Sequence, residues 1–276
     1  MSTHSSQGDR TVEATLRFVV DTGVKPIIYP SEGGGEVERQ TGQYVQQSVT
    51  ITDARQIREQ LSIDQQGFEL LRRQTGVQDF YSDDEVGAVY DRELEQLITE
   101  LTGAEKVIVF DHTRRADDQG TRQQRDVREP VSTAHSDYTD RSARQRIRDL
   151  LPQDEARQRL ARRYAIVNIW RPLRGPVRTA PLALCDAQSI DAKDLVVTER
   201  RARDRIGEIF HVAFNPQQRW FYFPDMQADE VIAIKTYDSA RDGRARFAPH
   251  LAFDDPSVSP DAPGRESIES RCLVFF

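Results

Sequence analysis

Cysteine and long apolar runs are both scarce in this sequence, and each absence excludes a class of protein. The two cysteines, Cys185 and Cys272, do not form a C-x-x-C pair, which argues against a disulfide scaffold and against a zinc knuckle. No apolar run approaches the roughly 18 residues that a membrane helix needs. The segment from Met1 to Arg10 is polar and lacks the hydrophobic centre of a secretory signal. We therefore expect a cytoplasmic protein that does not cross a membrane.

Charge is abundant, but it does not indicate a macromolecular partner. Charged residues make up 30% of the chain, the net charge is −7 and the pI is about 5.4. This acidic balance argues against nucleic acid as a partner, despite several local arginine clusters. The length of 276 residues suits one large domain, because barrels and sandwiches often reach this size as a single unit.

Short strand patterns dominate the second half of the chain. They are predicted at residues 164–173, 182–186, 194–200, 208–214, 219–223, 230–237, 246–253 and 267–276. Turn residues separate them, as in a sandwich or barrel. We expect a mainly β protein with flanking helices, folded as a double-stranded β-helix of the jelly-roll, cupin-like kind. The predicted domains are a disordered leader over residues 1–11 and a single jelly-roll domain over residues 12–276.

Helices are predicted mainly in the N-terminal half. Ser82 and Glu85 form a capping-box pattern at the start of an amphipathic helix that ends at Gly103. Another helix is predicted to begin after the cap Thr139. The polar segment at residues 116–127 is expected to be a mobile loop beside the mouth of the jelly roll.

His135-Ser136-Asp137 and the distant His250 are the most informative residues of the chain. Residues two apart in an extended segment point the same way, so His135 and Asp137 can reach one metal ion from one strand end. Two imidazoles and one carboxylate can occupy one face of iron(II) and leave the opposite positions open for substrates. We predict that His135, Asp137 and His250 are the catalytic metal ligands.

Two further histidines compete with His250 for the third ligand position. His211 lies in a predicted strand that could face the cavity, and we interpret it as a core or substrate-facing residue. His112 is flanked by Asp111 and Arg114, which favours a structural ion pair. His250 is preferred because residues suited to bind a carboxylate follow it along the chain.

Those residues are Arg265, Ser267, Glu269 and Arg271, which would share one face of the last predicted strand. An apolar core does not tolerate such a row, whereas a polar cavity does. Arg265, helped by Ser267, is the first choice to bind the distal carboxylate of a 2-oxo acid, because a guanidinium fork matches a carboxylate. Arg271 is a close alternative. Iron with such an anchor indicates an oxygenase that uses 2-oxoglutarate and O₂.

Four other residues are predicted to contact substrate or to support the metal ligands. Asn168 alternates with Trp170 in a predicted strand, so an amide and an indole would share one face, although a strand tryptophan is more often a core residue. The full set of predicted substrate contacts is Tyr138, Asn168, Arg171 and Arg114.

The motifs HSD, NIWRPL, PLALCDA, RWFYFPD, IKTYDS, PHLAFDD and RESIESRCLVF occur in this order. With them the chain resembles the family of the gibberellin desaturase and the small cephamycin methoxylation subunit, non-haem iron, 2-oxoglutarate-dependent oxygenases of secondary metabolism. The resemblance implies hydroxylation, desaturation or a related oxidation of a small molecule. It also implies His135, Asp137 and His250 as the triad and Arg265 or Arg271 as the carboxylate-binding residue. Some members act with a partner protein, so a homodimer or a partner protein stays open for this chain.

Two alternatives to this interpretation remain. A cupin-type metal enzyme that needs no 2-oxo acid would keep the metal ligands without requiring Arg265. An accessory binding subunit would have no activity of its own. Metal content and succinate release distinguish all three.

Overall fold

The structure is a computed structural model that describes residues 10–30, 37–202, 205–259 and 261–276. Residues 1–9 of the expected leader lie outside the described residues. The first strand already begins at Thr11, one residue before the predicted start of the domain.

Fifteen strands account for most of the regular structure in these ranges. They are β1 (Thr11–Val20), β2 (Ile27–Pro30), β3 (Val37–Gln40), β4 (Gln43–Asp53), β5 (Phe68–Arg72), β6 (Lys106–Ala116), β7 (His135–Ser136), β8 (Tyr164–Pro172), β9 (Leu182–Cys185), β10 (Leu195–Ala202), β11 (Arg205–Val212), β12 (Trp220–Tyr222), β13 (Glu230–Asp238), β14 (His250–Ala252) and β15 (Glu266–Phe275). The helices are α1 (Asp83–Glu85), α2 (Asp91–Thr102), α3 (Gln119–Arg125), α4 (Asp140–Leu150) and α5 (Gln153–Leu160), with a π-helical segment between α1 and α2.

The strands form two sheets, of ten and five strands. The order is β1-β4-β12-β9-β14-β7-β11-β10-β2-β3 in the first sheet and β5-β13-β8-β15-β6 in the second. Within the first sheet, β12, β9, β14 and β7 are antiparallel neighbours, and β13, β8, β15 and β6 are antiparallel neighbours in the second. Two such four-stranded units are the two halves of a jelly roll, so the predicted fold class is confirmed.

The core has an inner and an outer part. Between the sheets, Trp170 and Ile232 of the second sheet pack with Leu184 of the first. On the outer face of the second sheet, α2 buries Leu94, Leu97 and Ile98 against β15 and its neighbours. Alternate residues of β8 and β15 therefore face either the space between the sheets or the helix layer.

The ends of the helices agree only in part with the sequence patterns. The Ser82 side chain accepts a hydrogen bond from the Glu85 backbone N–H, as expected. The Glu85 carboxylate instead accepts from the backbone of Gln78 and Asp79, so the reciprocal half of the predicted capping box is not formed. Gly103 ends α2 in the left-handed region with φ 68°, and Thr139 caps α4 together with Ser142.

The polar segment at residues 116–127 differs from its prediction. It contains α3, whose first turn is capped by the Asp118 carboxylate at 2.6 Å from the Thr121 nitrogen. A side-chain cap stabilises a short polar helix that apolar periodicity does not reveal. The segment is therefore partly helical and not a loop throughout, whereas its mobility stays a prediction.

Candidate metal centre

Strand pairing brings the predicted ligands together. β7 lies between β11 and β14, and His135 is directly paired with His250 on one side and with His211 on the other. The His135 and His250 ring centroids are 4.6 Å apart. The ligand atoms of His135, Asp137 and His250 all lie within 4.8 Å of one another. The sequence motif and the distant histidine therefore meet at one point.

Both imidazoles are oriented by the backbone. The Nδ1 atom of His135 is 2.8 Å from the Thr133 carbonyl oxygen, and that of His250 is 3.1 Å from the Ala248 carbonyl oxygen. A carbonyl oxygen only accepts, so both Nδ1 atoms carry the proton and both Nε2 atoms keep a lone pair. Burial and the neighbouring His250 lower the pKa of His135 below its usual value, which keeps this imidazole neutral near pH 7.

Asp137 is held by two side chains of the second sheet. Its Oδ2 atom accepts hydrogen bonds from Arg271 Nε at 2.9 Å and from Asn168 Nδ2 at 2.8 Å. Its Oδ1 atom is 3.6 Å from His135 Nε2. Burial alone would raise the pKa of Asp137, but the Arg271 charge, the two histidines and the Asn168 hydrogen bond hold it well below its ordinary value. One oxygen is fixed by its neighbours, and the other faces the imidazoles.

Glu269 is a second carboxylate at this centre, and the sequence did not assign it a role. Its Oε1 atom is 3.7 Å from His250 Nε2 and accepts a hydrogen bond from Asn168 at 2.9 Å. Its Oε2 atom accepts from Arg271 Nη2 at 2.7 Å. The sequence did indicate that Glu269 shares a strand face with Arg271. It could not indicate that Glu269 lies near His250, because His250 belongs to the opposite sheet.

The two candidate carboxylate anchors have different surroundings. Arg271 is engaged by Asp137, Glu269 and Asp111. The Arg265 guanidinium donates to the Ala180 carbonyl oxygen and lies over Trp170, 5.4 Å from the ring centroid.

One further hydrogen-bond donor of the Arg265 guanidinium has no acceptor. Its Nε atom is buried without a hydrogen-bond partner, and among the described residues it forms no ion pair. Burial, with the nearby Arg115 charge, lowers the pKa of Arg265 to about 9. Ser267, which follows Arg265 by two residues and belongs to β15, is buried and is paired in register with Arg115 of β6.

Two of the four predicted substrate contacts are placed as expected, and two are corrected. Tyr138 lines the cavity beside the triad, and Asn168 supports Asp137. Arg171 instead lies in the helix layer, where it donates to the Tyr90 hydroxyl and to the Arg73 carbonyl oxygen.

Arg114 also lies on the outer side of its strand. It donates to the Phe80 carbonyl oxygen and forms an ion pair with Asp83 at 2.8 Å. A shift of one residue along a strand reverses the face, so the neighbouring Arg115 faces the cavity in its place.

The other two histidines have separate partners. His211 Nδ1 is 2.9 Å from the Tyr44 hydroxyl, and burial, with the His135 and Arg17 charges, lowers the pKa of His211 to about 3. His112 contacts the Ser270 hydroxyl at 2.8 Å and Asp91 at 2.9 Å. His211 lines the cavity beside the triad, while His112 holds α2 to the second sheet.

A cavity of about 390 Å³ opens beside the triad, within the range of small-molecule sites. Arginines are the lining residues that the sequence did not single out: Arg17, Arg115, Arg128, Arg146 and Arg200, in addition to Arg271. Within the described part of the chain, no residue of 116–127 lines this cavity. Arg115 and Arg128, which flank this segment, do line the cavity, so its predicted place beside the metal mouth stays a prediction.

Comparison with known proteins adds independent observations. A family model described as "Oxidoreductase/YMDC permease-like domain" matches residues 16–275. The chain is 34% identical to hydroxylase/desaturase efuI of Hormonema carpetanum, over 96% of this chain and 95% of that protein. It is 32% identical to the Fe(II)/2-oxoglutarate-dependent dioxygenase nvfI of Aspergillus novofumigatus, over 97% and 98% of the two chains.

A solved structure agrees with these sequence relatives. The iron and alpha-ketoglutarate-dependent endoperoxidase NvfI superposes with a TM-score of 0.85 at 28% identity, over 96% of this chain and 98% of that chain. In the described ranges, none of the helices has the length and apolar character needed to cross a membrane.

Proposed function

The chain belongs to the oxidoreductase family described as "Oxidoreductase/YMDC permease-like domain", and we propose that His135, Asp137 and His250 hold its iron. It is an iron(II)- and 2-oxoglutarate-dependent oxygenase that hydroxylates, desaturates or otherwise oxidises a small molecule, in keeping with its relatives. Iron with 2-oxoglutarate and O₂ supplies the oxidising power when bound. The protein's residues bind, orient and shield the reactants.

The observation that supports this ligand set is the convergence of two Nε2 lone pairs and one carboxylate oxygen within 4.8 Å. Two imidazoles and one carboxylate are the donor set of non-haem iron(II) oxygenases. The backbone acceptors at Thr133 and Ala248 fix the tautomers that make both imidazoles ligands. The residues present therefore fit the metal.

We propose different roles for Arg271 of β15 and for Arg265, the residue just before that strand. Arg271 is a positioning residue, because it holds Asp137 and is already engaged by three carboxylates. Arg265 has a buried donor without a partner. A desolvated guanidinium of this kind gains most from a ligand carboxylate. Arg265, with Ser267 beside it, is the proposed receptor for the distal carboxylate of 2-oxoglutarate.

Anaerobic titration of the iron(II) protein with 2-oxoglutarate, followed by the weak visible charge-transfer band, tests this assignment. Arg265→Ala should weaken 2-oxoglutarate binding by about 2–4 kcal/mol, roughly 30- to 1,000-fold, because a buried carboxylate loses its charged partner. Arg171→Ala is the matched control, since Arg171 is as deeply buried as Arg265 but faces the helix layer. Normal binding by Arg265→Ala with loss in Arg271→Ala would move the anchor to Arg271.

We also propose that the chain belongs with the gibberellin desaturase and the small cephamycin methoxylation subunit. Whether it acts as a homodimer or with a partner protein is part of the same proposal. Succinate formation by the purified chain alone, in iron(II), 2-oxoglutarate and O₂, is the relevant assay. Succinate release favours an independent 2-oxoglutarate enzyme over a cupin-type enzyme or an accessory subunit. The two buried free cysteines fit the reducing cytoplasm that we propose as its compartment.

A further inference from the structure

Four arginines on the wall of the metal-site cavity form no ion pair with any carboxylate of the described residues. Arg17, Arg115, Arg128 and Arg146 line it, and among the described residues none of the four forms an ion pair, although ion pairs are common elsewhere in the chain. These four guanidinium groups therefore contribute positive charge to the cavity, and no carboxylate of the described residues is bound directly to them.

The acidic residues of the same lining are committed to other cations. Asp111 and Asp137 are both bound by Arg271. Glu208 is bound by Lys25 at 2.5 Å and by Arg141 at 3.0 Å. None of these carboxylates forms an ion pair with the four arginines in the described residues, although the Glu269 and Asp137 charges act on Arg115 and the Asp111 charge acts on Arg128 from a greater distance.

Burial makes this charge costly to the protein. Arg115 makes one hydrogen bond, to the Glu129 carbonyl oxygen at 2.7 Å. Desolvation lowers the pKa of Arg115 to about 10, and it also lowers the pKa of Arg128. A buried cation without a counterion destabilises the fold, so such a cluster indicates that a ligand supplies the negative charge.

Aromatic rings hold two of these guanidinium groups on their faces. The Arg146 guanidinium carbon is 5.1 Å from the Phe110 ring centroid, and that of Arg17 is 4.6 Å from the Tyr44 ring centroid. The Nε atom of Arg146 is buried without a hydrogen-bond partner. Stacking fixes a guanidinium plane and leaves its edge donors free for a planar anion such as a carboxylate.

The proposed 2-oxoglutarate receptor does not account for Arg17, Arg128 and Arg146, whereas Arg115 lies beside it, paired in register with Ser267. The distal carboxylate of 2-oxoglutarate is assigned to Arg265, which does not line this cavity. Apolar side chains share the wall with the arginines, namely those of Ile28, Phe110, Val131 and Ile209. The cavity thus offers an apolar surface together with cationic donors.

We propose that the oxidisable substrate is a carboxylic acid with an apolar body, and that Arg128 and Arg146 bind its carboxylate beside the metal centre. This inference rests on the proposed function, because it makes the cavity the substrate site of that oxygenase. Arg115 and Arg17 add to the positive potential of the same wall.

The first test measures the melting temperature of the metal-free, ligand-free protein. Arg128→Gln should raise it, because the substitution removes a half-buried positive charge that desolvation disfavours and that forms no ion pair among the described residues. Arg55→Gln is the matched control and should lower it, because Arg55 donates two hydrogen bonds of 2.8 Å to Glu230. A lower melting temperature for Arg128→Gln would show that its charge is already compensated, and it would overturn the proposal.

The second test is calorimetric titration with cinnamate and with its neutral isostere cinnamamide, at constant ionic strength. The protein carries iron(II) and saturating N-oxalylglycine, a non-reacting analogue of 2-oxoglutarate, under anaerobic conditions. Cinnamate should bind at least about tenfold more tightly than cinnamamide, a difference of about 1.4 kcal/mol. Arg128→Gln and Arg146→Gln should abolish this preference without changing the affinity for N-oxalylglycine.

Three results would overturn the proposal: no cinnamate binding, equal binding of the amide, or displacement of N-oxalylglycine by cinnamate. Repeating the titration on the metal-free protein separates this proposal from the proposed function. If iron or N-oxalylglycine fails to bind, the oxygenase assignment falls, while the preference for cinnamate still decides whether the arginines bind a carboxylate.

Discussion

Three histidines meet at β7, but only two of them direct ligand atoms toward Asp137. His135 is paired with both His211 and His250 in the sheet. The Ala248 carbonyl oxygen orients His250 toward the triad, whereas the Tyr44 hydroxyl binds Nδ1 of His211. The hydrogen-bond partner of each ring, rather than its place in the sheet, therefore distinguishes the proposed ligand His250 from His211 on the cavity wall.

His211 should make the metal-free protein sensitive to mild acid. Its pKa is about 3 in the folded protein, against about 6.5 in an unfolded chain, so the unfolded state binds the proton first as the pH falls. Stability should then fall by about 1.4 kcal/mol per pH unit below about pH 6.5 because of this residue. Urea unfolding between about pH 7 and 5 should show a shallower fall for His211→Gln. Identical slopes would contradict the assigned burial of a neutral imidazole.

Arg271 should matter to iron rather than to 2-oxoglutarate. Arg271→Gln removes the charged donor that fixes one oxygen of Asp137, and loss of such a support typically weakens metal affinity about 10- to 100-fold. Competition with a chromophoric chelator measures this affinity. Arg265→Gln is the control that should keep normal iron binding. Equal iron affinity in wild type and Arg271→Gln would show that Asp137 is held without Arg271.

At the level of elements, α2 ends at a glycine whose conformation matters. Gly103 has φ 68° and no atom near the position of an added Cβ, so Gly103→Ala should cost about 1–2 kcal/mol through backbone strain alone. Gly87 also has open space, lies in the π-helical segment before α2 and has no positive φ. Gly87→Ala should therefore stabilise by about 0.4–1 kcal/mol. Denaturant unfolding of the two variants measures the change in the free energy of unfolding for each. Equal changes in Gly103→Ala and Gly87→Ala would refute the role of Gly103 as a helix terminator.

The strands also explain which parts of the site could be predicted. His135 and Asp137 were predictable because the period of two in an extended segment is independent of the rest of the fold. The choice between Arg114 and Arg115 was not, because it depends on the face of β6. β8 is buried along its whole length, so its sequence has no alternation to show that Asn168 faces inward and Arg171 outward.

At the scale of the whole molecule, the candidate metal centre lies between the two sheets. His135 and His250 lie on the first sheet, whereas Arg271 and Asn168, which hold Asp137, lie on the second. The jelly-roll fold class was predictable from the succession of short strands, and the structure confirms it. The partners of Arg271 and the arginine wall were not predictable, because they depend on which strands face one another across the cavity. The assignment of residues 12–276 to a single domain stays a prediction.

The iron(II) binding isotherm of three proteins is the most direct test of the central claim. Wild type should bind one iron(II) per chain, and His211→Ala should retain that binding, because His211 lies outside the ligand set. His250→Ala should lose tight binding, since two protein ligands remain in place of three. Full iron occupancy in His250→Ala together with loss in His211→Ala would contradict the account, because the third ligand would then be His211.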